Sequence, residues 1–457
     1  MHFSKGKLMD FNVWWWGGLA LFLSLFHGNH ILNNDEGVVI DGAWNMLHGR
    51  QLYIDFFEFI TPGSFYLVYI PWKILGPHYW IANAIAIAVV FISAVGIYKM
   101  CKMLTTNSSS IIPPAIFIFS SFNWPIINHN MFNIALIIWG TYFFLKGIKS
   151  KNTSMFVSSG LFIGLSMLFL QHKGAAVFIA MSGFLLFLRF IYKQRYWTRS
   201  LIALVVCSLI PLLVLFKWPL EILYSNLMQF VLFQCAEINK TSLILSIFFL
   251  FILLVFIFTI KKNRSKEITF LFFLQFVLLL TTFARSDSFH VGIAIFPILV
   301  LMPIVAEALK NKEQIIKLAC GFLFLIASWL IVYPSIKYVT TFPLFYSVKD
   351  AGAIEYIKQH CDDKYDLYAG PFMPGMYYET NKLNPTSYSW LITNHHTKKQ
   401  FAHALTQLEL HKPKCAVTDY KNVRKFRCTQ NNLVDAYIQK NYKIVETVAD
   451  VQIFKRR

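Results

Sequence analysis

Residues 241–260 read TSLILSIFFLFILLVFIFTI, twenty residues without one charged side chain. A helix rises 1.5 Å per residue, so about twenty apolar residues cross the roughly 30 Å hydrocarbon core of a bilayer. Similar apolar blocks recur along the 457 residues, and only 14% of the chain is charged, against about 25% in soluble proteins. The composition excludes an ordinary soluble globule and predicts an all-α polytopic membrane protein.

Hydropathy predicts about eleven membrane-spanning helices. They lie at residues 11–27, 79–101, 111–127, 130–147, 153–170, 174–191, 200–217, 241–260, 268–284, 291–309 and 316–334. The first follows the basic residues Lys5 and Lys7, as a signal peptide would. Because no small-x-small cleavage site follows it, we expect a retained anchor.

The distribution of Lys and Arg predicts the orientation of these helices. With a cytoplasmic N-terminus, the inner ends and loops carry eighteen basic residues, and the outer loops before residue 335 carry six. The six are Arg50, Lys73, Lys173, Lys217, Lys240 and Arg285. This asymmetry follows the positive-inside rule and predicts an exoplasmic C-terminus. The net charge of +19 is thereby explained without nucleic acid as a partner.

The chain divides into a transmembrane catalytic body, residues 1–334, and a more polar exoplasmic α/β domain, residues 335–457. In the second part, apolar spacing predicts helices at 349–360, 397–410 and 433–442 and strands at 365–369, 415–418 and 444–454. Neither part shows a repeat of 20–50 residues.

The seven cysteines show no metal-like spacing. Cys361, Cys415 and Cys428 lie in the polar tail, where one disulfide can form. Cys415–Cys428 is one candidate pairing, but the sequence alone does not decide it.

The first outer connection, residues 28–78, is far longer than two neighbouring helices need, and long structured loops tend to carry function. Apolar residues from Val38 to Leu47 suit a helix lying on the membrane surface. The segment 64–75, which follows Pro62, is too short to span and suits an interfacial or re-entrant helix.

Carboxylates are concentrated in this loop. Asp35 and Glu36 follow the first span, where one carboxylate can act as general base on a hydroxyl and the other can hold substrate or an ion. The alternative is that they cap the helix that follows. Asp55 and Glu58 are three apart and could share a helix face, on which they would otherwise be ordinary solvated side chains.

Arg285, Asp287 and His290 form a charged group at the outer end of the ninth span. Such residues between apolar helices need partners or a cavity. Arg285 can clamp a phosphate, and Asp287 can orient either neighbour. The alternative is a topology-setting loop with an internal ion pair.

Lys173 occupies an outer loop, against the positive-inside bias, and an anionic ligand would explain it. Snorkelling to the interface is the simpler explanation. His129 and Asn130 occupy another short outer loop, and a lone histidine there is more often interfacial than a ligand.

Acids and cations on one predicted side of the membrane fit sugar transfer from a lipid phosphate, which requires a base for the acceptor hydroxyl and cations for the departing phosphate. A lipid-glycan flippase or transporter is an alternative, although it should place ionisable groups near mid-bilayer and show duplicated halves. An oligosaccharide ligase or polymerase with a lipid-diphosphate donor is another, in which Arg285 and His290 would lead and Asp35 would be dispensable. In a scaffolding protein, these residues would be individually replaceable.

The loop sequence resembles the first outer loop of GT-C glycosyltransferases, in the protein-mannosyltransferase and aminoarabinose-transferase-like branch that includes bacterial lipopolysaccharide-core sugar transferases. The resemblance rests on Asp35-Glu36-Gly37, Tyr53-Ile54-Asp55 and Thr61-Pro62-Gly63 in that order. Lys173-Gly174 and the Arg285–His290 pattern are similar to later motifs of the same branch. Two positions depart from the branch: His129 and Asn130 stand where an Asp is usual, and residues 37–39 lack the usual basic residue.

The resemblance implies a polyprenyl-phosphate-linked sugar donor and inverting transfer to a hydroxyl of a glycan, lipid or protein on the exoplasmic face. It implies Asp35 as catalytic base, assisted by Glu36, and a donor phosphate held by Lys173, Arg285 and His290. A divalent cation is an open expectation, because its ligands cannot be assigned. We expect the protein among the lipids of a bacterial inner membrane.

Overall fold

The computed structural model describes residues 17–18, 22, 35–106, 108–124, 126–229, 240–259, 265–282, 288–310, 312–341, 351–421, 423–424, 431–448 and 450–457. Helices dominate. They are α1 (Asp35–Leu47), α2 (Gly63–Leu75), α3 (Tyr79–Leu104), α4 (Ile112–Ser120), α5 (His129–Ser150), α6 (Thr153–Met167), α7 (Gln171–Tyr192), α8 (Arg195–Leu209), α9 (Leu220–Leu223), α10 (Lys240–Thr259), α11 (Lys266–Thr282), α12 (Ser288–Ala294), α13 (Phe296–Leu309), α14 (Gln314–Thr341), α15 (Ala351–His360), α16 (Gly375–Glu379), α17 (Lys398–His411) and α18 (Leu433–Asn441).

Five of the described helical segments are long and apolar enough to cross a membrane. They are Tyr79–Leu104, His129–Ser150, Gln171–Tyr192, Arg195–Lys217 and Gln314–Lys337. Each coincides with a predicted span. Other predicted spans coincide with shorter apolar helical stretches, such as Ser109–Ser120, Thr153–Met167 and Leu243–Thr259. The span predicted at 11–27 lies almost entirely outside the described residues. The total of eleven spans and their orientation stay predictions.

The chain forms two compact units. The first comprises Met1–His27, Asn83–Leu215 and Glu237–Leu344, and the second comprises Gly28–Ala82, Phe216–Ala236 and Phe345–Arg457. The long first loop therefore belongs to the same unit as the polar tail. The predicted division at residue 334/335 separated the two by sequence position alone, and its domain assignments stay predictions.

In the first unit, α6 packs against both α5 and α8, and α7 packs against α11. Small residues allow the close approach of α6 and α8. A Cβ on Gly160 would lie 2.5 Å from the Leu204 carbonyl oxygen, and one on Gly164 would lie 2.3 Å from that of Ser208. This Gly-x-x-x-Gly spacing brings helix backbones together where association depends on van der Waals packing.

The span predicted at 291–309 is not one continuous helix. α12 ends at Ala294 and α13 begins at Phe296, because Pro297 lacks an N–H and its ring disfavours continuation of the preceding turn. Gln275 of α11 compensates for the break. Its Nε2 donates to the Ala294 carbonyl at 3.3 Å, and its Oε1 accepts from the Ile298 amide at 3.2 Å.

In the second unit, α1 packs against α2 and α16, and every residue from Glu36 to Met46 is buried. The prediction of a helix lying on the membrane surface is therefore wrong, because residues 36–46 of α1 are buried within the unit. Its glycines permit this packing, since a Cβ on Gly42 would lie 2.3 Å from the Phe65 ring. The segment predicted as an interfacial helix is α2, and its contact with lipid stays a prediction.

The polar tail contains a four-stranded sheet in the order β1 (Leu367–Gly370), β2 (Cys415–Thr418), β4 (Val451–Arg456) and β3 (Tyr442–Val448). β1 and β2 are parallel, with Leu367 opposite Cys415, and the other pairs are antiparallel. The parallel pair needs a crossover, which includes α16 and α17. α17 begins with a capping box formed by Thr397 and Gln400, and α17 and α18 pack together.

A disulfide joins Cys361, just after α15, to Cys415 in β2. The candidate pairing Cys415–Cys428 is therefore wrong. The chain between Cys361 and Cys415 forms the first strand and its crossover, and this topology brings together cysteines that are 54 residues apart.

Candidate functional site

The paired carboxylates predicted as catalytic lie at the start of a helix. Asp35 and Glu36 are the first two residues of α1. An acidic side chain is favourable there because the free N–H groups and the helix dipole stabilise negative charge. Asp35 is partly exposed and Glu36 is buried. Of the two side chains, only that of Asp35 is accessible from the surface of the unit, while Glu36 is held within it.

Asp55 and Glu58 do not share a helix face, contrary to the prediction. Residues 51–55 form a turn in which the exposed Asp55 accepts a hydrogen bond from the Gln51 amide at 2.6 Å. Glu58 is fully buried, and its Oε1 accepts from Ser389 Oγ at 2.8 Å. Glu58 thus connects the first loop to the polar tail within the second unit.

Arg50 reinforces the same connection. Its guanidinium donates to Asn45 Oδ1 at 2.9 Å and to the carbonyls of Asn384 and Thr386 at 3.1 and 3.3 Å. Next to Asn45 in α1, the Trp44 indole N–H donates to the Lys382 carbonyl at 2.8 Å. These bonds fix the end of α1 against residues 382–389.

A second buried carboxylate lies near Glu58. Asp41 is 0% exposed, and neither of its carboxylate oxygens has a hydrogen-bond partner among the described residues. Burial raises the pKa of Asp41 from 3.8 to about 7. The positive charge of Arg50 opposes this shift, and so do the nearby polar side chains of Asn45 and Ser389. Burial also raises the pKa of Glu58 well above its ordinary value, with Ser389 opposing the shift and the negative charge of Asp41 adding to it. The negative charge of Asp41 therefore disfavours the charged form of Glu58.

The first unit holds a separate polar group, formed where helices begin. His129 and Asn130 are the first residues of α5, Lys173 is the third residue of α7, and His290 is the third residue of α12. α5 packs against both α7 and α12. The N-termini of the long helices α5 and α7 carry partial positive charge.

Asn130 is the centre of this group. Lys173 Nζ donates to Asn130 Oδ1 at 2.8 Å, and Asn130 Nδ2 lies 3.0 Å from His129 Nε2 and 3.4 Å from His290 Nε2. Lys173 is 2% exposed, and the other three side chains are also buried. The structure thus brings together four predicted site residues that are separated by up to 161 positions in sequence, from His129 to His290.

Two further residues support the group and were not predicted. Asn128 caps α5, because its side chain accepts from the Asn130 amide at 2.7 Å. Asn133 donates to the Ser166 carbonyl at 2.8 Å and so connects α5 to the end of α6. An Asn directly before an apolar helical run is a helix-start signal, so the cap at Asn128 was detectable from sequence. The contact of Asn133 was not.

A lysine at the N-terminus of one helix, beside amide and imidazole groups at the start of others, is suited to binding an anion. Three N–H donors allow one ammonium group to bind both Asn130 and a ligand oxygen. Arg285 and Asp287, predicted to take part, lie outside the described residues. Among the described residues, no group of three His, Cys, Asp or Glu side chains is placed to hold a metal ion.

Comparisons with known proteins agree with this architecture. Residues 60–213 match the family described as dolichyl-phosphate-mannose-protein mannosyltransferase. The fold is similar to that of ArnT from Cupriavidus metallidurans bound to undecaprenyl phosphate, with a TM-score of 0.61 and 9% identity over 99% of this chain and 98% of that one. The apo state of the same ArnT gives a TM-score of 0.60 and 11% identity, covering 97% of each chain. No curated protein matches the sequence significantly.

These matches confirm the predicted resemblance to GT-C glycosyltransferases. The protein shares the fold of these ArnT structures, and five of its described helical segments are long and apolar enough to cross a membrane.

Proposed function

We propose that this protein transfers a sugar from a polyprenyl-phosphate donor to a hydroxyl of a cell-envelope glycan, lipid or protein on the exoplasmic face of the membrane. One observation carries the proposal: Lys173 and His290, on helices far apart in sequence, converge on the amide of Asn130. The similar ArnT was crystallised with undecaprenyl phosphate, which is consistent with a polyprenyl-phosphate ligand.

In the proposed reaction, Asp35 takes the proton of the acceptor hydroxyl. The hydroxyl oxygen attacks the anomeric carbon, a new C–O bond forms with inversion, and the bond from that carbon to the phosphate oxygen breaks. The polyprenyl phosphate departs with the bonding electron pair. Lys173 and His290 are the proposed partners of its negative charge, and Arg285 is proposed to assist them.

Asp35→Asn tests the base. The substitution preserves size and removes the proton acceptor, so we expect transfer to fall by about 10²–10⁴-fold, the usual contribution of general base catalysis. Glu221→Gln, which removes an exposed carboxylate from α9 in the same unit, is the matched control and should retain activity. The measurement is mass spectrometry of lipid-linked sugars and surface glycans in a deletion strain that carries each variant. Full transfer by Asp35→Asn would remove Asp35 from its role and favour the ligase alternative.

Lys173→Met tests the phosphate partner separately. Methionine keeps the length of the side chain and its apolar part but removes the charge. We expect loss of transfer together with accumulation of the lipid-linked sugar, because departure of the phosphate would be slowed. Unchanged transfer by a folded Lys173→Met protein would show that the group around Asn130 is structural.

A further inference from the structure

A second group of lysines lies at the opposite end of α5 from Asn130, outside the proposed site. Lys99 and Lys102 lie near the end of α3, and Lys146 and Lys149 near the end of α5. Residues 95–104 and 141–150 include no Asp or Glu. Lys149 Nζ donates to the Met103 carbonyl, so the two helix ends are joined directly.

These lysines converge on the rings of one helix. Lys99 Nζ, from α3, lies 5.8 Å from the Trp139 ring centroid and 6.0 Å from that of Tyr142 in α5. Lys146 Nζ lies 5.8 Å from the same Tyr142 ring. Gly96 allows this approach, because a Cβ there would lie 2.6 Å from Ile138 Cγ2. Two cations from different helices therefore lie close to one aromatic ring.

An apolar surface continues from the charged end. The half-buried rings of Trp139, Phe143 and Phe162 stack, with the Phe143 and Phe162 centroids 5.5 Å apart. Cations beside Tyr and Trp, with apolar rings along the helix from them, are typical of the boundary between headgroups and acyl chains.

We propose that the ends of α3 and α5 bind the headgroup of an anionic phospholipid, with Lys99 and Lys146 contacting its phosphate and an acyl chain lying along Trp139 and Phe162. Setting the topology of the helices would require lysines only near the helix ends. It would not require two lysines from different helices to converge on the Tyr142 ring. Basic sites between membrane helices bind anionic headgroups because the local positive potential is added to apolar contact.

Binding is measured on the full-length protein in neutral detergent. Phosphatidylglycerol and phosphatidylcholine with identical acyl chains are titrated separately, with thermal unfolding and native mass spectrometry as readouts. We expect the protein to bind phosphatidylglycerol more tightly. In the double variant Lys99→Gln/Lys146→Gln, affinity for phosphatidylglycerol should fall by about fivefold per lysine, roughly 25-fold in all, with no change for phosphatidylcholine.

Two controls distinguish a site from general attraction. Lys193→Gln removes an exposed lysine after α7 and should keep the preference for phosphatidylglycerol, and Lys99→Arg/Lys146→Arg should retain it as well. Equal binding of the two lipids by the unsubstituted protein would overturn the proposal. So would an equal loss in Lys193→Gln, or undiminished preference in the double Gln variant.

Discussion

The buried acids Asp41 and Glu58 should make the second unit less stable as the pH rises. Both are fully buried, and Ser389 donates its single hydroxyl proton to Glu58. The charge of Glu58 acts on Tyr53, and the charge of Asp41 acts on Tyr377. Arg50 is the cation that acts on Asp41. Because burial disfavours the charged carboxylate, the folded protein holds protons that the unfolded chain releases.

The magnitude follows from the pKa of Asp41, raised from 3.8 to about 7. A pKa that is higher in the folded state contributes stability that is fully present below the unfolded pKa and is lost as the pH rises through the folded pKa. Between pH 5 and pH 8, Asp41 should therefore lower the free energy of unfolding by about 2–3 kcal/mol. The pKa of Glu58 is also raised, so its effect has the same sign.

Asp41→Asn tests this directly, because an amide of nearly the same shape stays neutral at every pH. Relative to the unsubstituted protein, the variant should gain about 2–3 kcal/mol in stability between pH 5 and pH 8, on the order of 5–10 °C in the unfolding midpoint. The assay is thermal unfolding in detergent, followed by tryptophan fluorescence at several pH values. Glu221→Gln controls for the loss of one acidic side chain.

Two outcomes would refute the reasoning. If the stability of Asp41→Asn varied with pH as steeply as that of the unsubstituted protein, Asp41 would not be the titrating group. If the variant were strongly destabilised at pH 8 and not at pH 5, Asp41 would be charged and paired in the folded state.

Two structural predictions concern packing and the disulfide. Gly164→Ala should destabilise the first unit by about 1–3 kcal/mol, because the new Cβ would meet a backbone carbonyl. Gly183→Ala is the control and should be neutral or slightly stabilising, because no heavy atom lies within 4 Å of its new Cβ. Thermal unfolding of the two variants measures the difference. Cys361→Ser opens the 54-residue loop closed by Cys415 and should cost about 4 kcal/mol, with reductant producing the same loss in the unsubstituted protein but no further loss in the variant.

The sequence predicted most elements because they depend on local signals. The strand at Cys415–Thr418 coincides with the prediction, and α17 lies one residue from its predicted position. A capping box and regular apolar spacing act over a few residues. Pro297 is a helix-breaking residue that can be read in the sequence. The hydropathy of residues 291–309 is nevertheless uninterrupted, and it predicts one continuous span.

Contacts between distant segments were not predictable in the same way. The sequence predicts that α1 lies on the membrane surface, yet the helix is buried because α2 and α16 pack against it. The partner of Cys415 depended on the crossover between β1 and β2, which sequence spacing does not reveal. The burial of Asp41 was not predictable either, because it is produced by residues far along the chain.

The candidate site was predicted one residue at a time, and each residue had an ordinary structural explanation. A single lysine can snorkel, and a single histidine can be interfacial. The convergence of Lys173 and His290 on Asn130 weakens those explanations, because a snorkelling lysine would extend to water and would not be 98% buried beside an amide. Burial of a lysine disfavours its charged form unless anionic or polar groups compensate. Asn130 supplies one such polar group, because its amide oxygen accepts a hydrogen bond from Lys173 Nζ at 2.8 Å.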